Sequence, residues 1–107
     1  LGAALGPDPV VHADEMPPDA LAENFVVSHG WISPWIEMVD DAKYQAEVTR
    51  LANLGIRTWA QTHGPVYEGT YVDRAIELLR AVPAGALAPQ PGQADLDAIV
   101  ASMLVAA

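Results

Sequence analysis

Three histidines and a scatter of carboxylates are the groups in this chain best suited to chemistry near neutral pH, and no cysteine accompanies them. Imidazole can hold a metal, move a proton or shape a turn, so each histidine is judged by its surroundings. His63 stands in Thr62-His63-Gly64-Pro65, a turn-forming run just past an alternating segment. His29 precedes Gly30 where a helical pattern ends, which reads as a capping or half-buried side chain. His12 shares a loop-like region with Asp8, Asp14 and Glu15. These are metal-ligand residue types, yet no helical or strand register holds them together, and acidic loops produce such groupings by composition alone. Without cysteine, disulfides and thiolate metal sites are excluded.

The elements that must position these groups follow from periodicity. Ile56, Thr58 and Ala60 alternate with Arg57 and Trp59, the period of a strand with two faces, and Gly64-Pro65 then forces a turn. His63 is therefore expected beyond the carboxyl end of a strand over 56–60, a place where α/β folds hold ligands. Residues 19–31 are helix formers with Leu21, Phe25 and Ser28-His29 along one side. Ser33-Pro34 signals a new helix running to Leu54, closed by a left-handed Gly55. In that helix Trp35, Met38, Val39, Ala42 and Ala46 make one stripe, and Tyr44, Val48, Leu51 and Ala52 another. The change of face implies a bend or contact with two layers. Thr70 and Asp73 have capping-box spacing before a helix with Val72, Ala75, Ile76 and Leu79 inward. Residues 83–92, rich in proline and glycine, read as a linker. The last helix carries Leu96, Ile99, Val100, Met103 and Leu104 in i, i+3, i+4 order, a stripe that needs a partner surface.

The 107 residues suffice for one domain with a modest core, expected around Trp31, Trp35, Trp59 and the tyrosines. A net charge of −9 with five Lys or Arg argues against nucleic-acid phosphates and anionic membranes as partners. No apolar run approaches the roughly 20 residues needed to span a bilayer. The expected location is the cytoplasm. The opening Leu1-Gly2-Ala3-Ala4-Leu5-Gly6 has neither an initiator Met nor a basic leader, and it reads as the middle of a longer protein.

Gly55-Ile56-Arg57-Thr58-Trp59-Ala60-Gln61-Thr62-His63-Gly64-Pro65-Val66 resembles the last conserved block of the metallo-β-lactamase-fold metallohydrolases. In that family a strand ends in a His-Gly-Pro turn whose histidine binds the second metal. Phe25 to Leu54, with Gly30-Trp31-Ile32-Ser33-Pro34-Trp35, resembles the helical region before that strand in the flavodiiron-like, oxygen-binding branch. Leu1 to Gly6 resembles the segment after the family's bridging aspartate. The likeness covers about residues 1–81. The family's His-x-(His/Glu)-x-Asp-His motif, its third histidine and the bridging aspartate have no counterpart here and would precede Leu1.

The resemblance implies an α/β fold, the helix-rich carboxyl-terminal part of an αββα sandwich, with one clear strand at about 56–60 and about four helices. The chain then divides into this domain part at 1–82, a linker at 83–93 read from its composition, and a helix at 94–107 read from its periodicity. His63 is the one residue it makes a metal ligand, serving one of two zinc or iron ions whose other ligands belong to the parent domain upstream of Leu1. Alone, the segment is expected to be inactive. A flavodiiron-type parent would use iron to reduce dioxygen or nitric oxide, but the region after Arg80 lacks a flavodoxin-like pattern. The alternative from a different class is an acidic helical module that binds protein without catalysis. In either case the 94–107 helix offers a surface for homo-oligomer formation.

Overall fold

Pro17 and Pro18 set the start of the first long helix, because a proline in the opening turn has no N–H to leave unpaired. The computed structural model describes residues 10–85 and 91–106, and places four α-helices and one two-stranded sheet among them. α1 is Pro18–Ile32, α2 Asp41–Ala52, α3 Thr70–Ala81 and α4 Gln93–Ala106. β1, Thr58–Trp59, pairs antiparallel with β2, Tyr67–Glu68, so that Thr58 faces Glu68 and Trp59 faces Tyr67. The described residues are thus mostly helical with a small sheet. No helix among them is long and apolar enough to cross a membrane.

Three expectations change. The strand expected alone over 56–60 is shorter and has a hairpin partner in β2, which supplies the hydrogen bonds an isolated strand would lack. A parallel bridge joins His12 to Val66, with Ala13 N–H donating to the Val66 carbonyl at 2.9 Å and Val66 N–H to the Val11 carbonyl at 2.7 Å. The loop bearing His12 is therefore stitched to the far side of the His63 turn. The helix expected from Ser33 to Leu54 is two pieces, a 3-10 turn over Pro34–Met38 and then α2. Asp40 interrupts it by capping α2, its carboxylate accepting from Lys43 N–H at 3.0 Å. At α3 the N-cap is Gly69, at φ 57° and ψ −126°, a backbone region that a side chain would strain, and the Thr70–Asp73 capping box does not form.

The core is built around Phe25, Tyr67, Leu21 and Leu79, all essentially solvent-free, and not around the tryptophans. Trp31 and Trp35 are exposed, and Trp59 is half-buried against the core. Burying each large apolar side chain stabilises the fold by roughly 1.5–3 kcal/mol. α3 buries the expected Val72, Ala75, Ile76 and Leu79 together with Leu78. α2 turns only Val48 fully inward, flanked by half-buried Tyr44 and Leu51, while the stripe expected through Trp35 and Met38 stays exposed.

Side chains of α2 finish the end of α3. Pro83 has no N–H to give the Leu79 carbonyl, which accepts instead from Val82 N–H and from the Tyr44 hydroxyl at 2.6 Å. Gln45 Nε2 donates to the Arg80 carbonyl at 2.9 Å, and Arg80 reaches back to the Thr49 hydroxyl at 3.1 Å. Val82–Ala84 then forms a 3-10 turn ending at Gly85, where an added Cβ would stand 2.7 Å from the Val26 Cγ1. The linker expected over 83–93 thus begins as ordered structure. Residues 86–90 lie outside the described residues, as do 1–9, including Asp8 and the Leu1 to Gly6 segment of the family resemblance.

Candidate functional site

Phe25 and His29 stand four residues apart on α1, so their rings fall on one helix face and stack with centroids 4.4 Å apart. His29 lies in the last turn of α1, with Nδ1 2.7 Å from the Phe25 carbonyl. A carbonyl only accepts, so this bond puts the proton on Nδ1. Burial lowers the His29 pKa below its ordinary 6.5, and the bond to Phe25 opposes that shift in part. The ring is accordingly neutral at physiological pH.

Phe25 meets Tyr67 of β2 edge-on at 6.3 Å, and Tyr67 lies 6.0 Å from Trp59 of β1. Four rings from a helix and both strands therefore form a continuous wall, His29 to Phe25 to Tyr67 to Trp59. Burial pushes the Tyr67 hydroxyl up to about 12, against a hydrogen bond with the Gln61 side chain that lowers it, so this phenol stays protonated at neutral pH. The same Gln61 closes the turn through Nε2 to the Pro65 carbonyl at 3.2 Å, with Gly64 at φ 136° between them. Pro65 is fully buried and pins the turn to the core.

A cleft of about 360 Å³ opens between the two ends of this wall, His29 and Trp59. Its lining comes from the end of α1 (His29, Ile32 and Ser33), from Trp59 of β1, and from the turn (Gln61, Thr62 and His63). His63 is exposed, in the turn that leaves β1 as its sequence position predicts. Its ring makes no hydrogen bond with any described residue. The structure thus brings His29 and His63, 34 positions apart in the chain, to one cleft. Sequence reasoning set His29 aside as a capping or half-buried side chain; it is more deeply buried than that, at 5% exposure, and it lines the cleft. The available signal was the Phe25-to-His29 spacing, which seats the imidazole on an aromatic surface.

His12 lies elsewhere, in a small recess with Asp14, Val66, Glu68 and Tyr71. The Glu15 carboxylate accepts from the His12 backbone N–H at 2.9 Å, so it caps a 3-10 turn over Ala13–Glu15. Among the described residues no group of three or more His, Asp or Glu is placed to hold a metal ion. The cleft supplies two imidazoles and no carboxylate, fewer donors than the four of a closed zinc site or the three of a catalytic one. The described side chains are therefore not a complete metal centre, though an exposed imidazole suits a ligand shared with other donors. Comparison with protein-family models, curated proteins and solved structures finds no match to this chain.

Proposed function

We propose that this chain is the carboxyl-terminal portion of a metallo-β-lactamase-fold metallohydrolase, an edge of one half of its αββα sandwich, and that it contributes His63 to the second of two metals. The observation that carries this reading is the placement of His63: exposed, outside any hydrogen bond with the described residues, at a cleft beyond the end of β1. An imidazole needed only to shape the turn would bond within it, and here Gln61 and Gly64 perform that task. The sequence likeness around Gly55 to Val66 supplies the family. Zinc or iron bound there would make an attacking water acidic enough to act near neutral pH. The residues of this chain hold one metal through His63, shield one wall with Ile32 and Trp59, and offer Ser33 and Thr62 hydroxyls at the rim.

Two measurements test this. Zinc titrated into the 107-residue chain gives no tight stoichiometric site, because the donor set is incomplete. In the longer polypeptide read from upstream of Leu1, metal analysis finds two equivalents, and His63→Ala loses about one of them. His29→Ala retains both. Two full equivalents in the His63 variant would remove His63 from the metal site.

A further inference from the structure

His63 is the central residue of the segment Gln61-Thr62-His63-Gly64-Pro65. Among the described residues, the backbones of Thr62, His63 and Gly64 make no hydrogen bond. The hairpin pairing stops at Trp59 and Tyr67, short of this segment. Gly64, at φ 136°, adds the backbone freedom of a residue without Cβ directly beside the histidine. The turn is held instead at its two ends. At the far end Pro65 is fully buried, and Val66 is bonded to Val11 and Ala13. At the near end the Gln61 side chain reaches across. Its Nε2 donates to the Pro65 carbonyl at 3.2 Å, and the same side chain is hydrogen-bonded to the Tyr67 hydroxyl. Tyr67 is a firm support, solvent-free and paired with Trp59 across the hairpin.

We propose that Gln61 is a positioning residue for His63, closing the turn against the core through the Pro65 carbonyl and the Tyr67 hydroxyl. Gln61 ligates nothing in this scheme and acts only through the backbone that carries the imidazole. As a statement about metal binding, the proposal rests on the role given to His63 above. A ligand presented from a loose turn must be ordered when the metal binds, and the lost conformational entropy is subtracted from affinity. A turn already closed avoids that loss. Groups that orient a metal-binding histidine from behind typically matter by roughly 10–100-fold in metal affinity. Tyr67 shares the task at one remove, because its hydroxyl anchors the amide that spans the turn.

Nitrogen-15 relaxation of the 107-residue chain tests the clasp without any metal. Thr62, His63 and Gly64 should be ordered in the wild type. In Gln61→Met, which keeps the side chain's length and loses its hydrogen bonds, their heteronuclear NOE should fall while α1 and α3 keep theirs. Gln61→Met combined with Tyr67→Phe guards against a folding defect, because it leaves no stranded hydroxyl in the core, and it should loosen the turn equally. In the longer polypeptide, zinc competition against a chelator should show the second equivalent weakened roughly 10–100-fold in Gln61→Met. The first equivalent should keep its wild-type affinity, whereas a general loss of stability would weaken both. A turn as ordered in Gln61→Met as in the wild type overturns the proposal, as does a second equivalent of unchanged affinity. Should His63→Ala keep both metals, the metal reading of His63 fails, and the relaxation measurement still decides whether Gln61 holds the turn.

Discussion

His29 couples the cleft to the stability of α1 through one proton. Its ring is buried against Phe25, and burial holds its pKa below 6.5 in the folded chain. The unfolded chain takes up that proton near 6.5, and the folded chain only at lower pH. The stability this histidine contributes is therefore complete above about pH 6.5 and declines as pH falls through that value toward the folded pKa. Thermal unfolding followed between about pH 7.5 and about pH 5.5 should show the decline, and His29→Gln should flatten it. A slope unchanged by His29→Gln would assign the proton elsewhere. His63 differs in kind: it is exposed, and the turn around it is closed by other residues, so His63→Ala should cost little stability whatever it does to metal. That contrast separates a residue that supports the wall from one that faces outward.

At the level of elements, the sequence was readable where one periodicity operated alone. α1 and α3 appear close to their expected limits, because the pattern of Leu21 and Phe25, and that of Val72, Ala75, Ile76 and Leu79, has no rival signal. The region from Ser33 to Leu54 contained two start signals, Ser33-Pro34 and Asp40, and the second opens the true helix. The hairpin escaped notice because two-residue strands are too short to show alternation. The cleft was half legible: His63 follows from its turn, but the approach of His29 depends on how α1 packs across the sheet. The contacts that finish the end of α3 were not legible at all, because Tyr44 and Leu79 lie 35 residues apart. A coupling follows from that contact. Tyr44→Phe leaves the Leu79 carbonyl to Val82 N–H alone and should destabilise the chain by about 1 kcal/mol. In Pro83→Ala the new N–H competes for the same carbonyl, so Tyr44→Phe should matter less there. Urea denaturation of the four chains in this double-mutant cycle measures the difference, expected at the low end of about 0.5–3 kcal/mol. Strict additivity would mean that the hydroxyl does not complete the helix end.

The whole molecule is extended for its length. Its radius of gyration is 16.1 Å over principal extents of 52, 32 and 21 Å, where a compact domain of this size would have about 13 Å. The unburied α4 accords with that shape. The core meanwhile excludes two of the three tryptophans, with Trp31 at 50% and Trp35 at 60% exposure. The consequence is optical. Emission from these indoles already comes from a watery setting, so unfolding should shift the fluorescence maximum only slightly, through Trp59. Tyrosine bands in the near-ultraviolet circular dichroism, dominated by the solvent-free Tyr67, should collapse instead. The net charge of −9 adds a sign to the quenching: iodide should be held off and caesium drawn in relative to neutral acrylamide, with the gap closing as salt is raised. Equal quenching by the two ions at low salt would place the tryptophans away from the acidic surface.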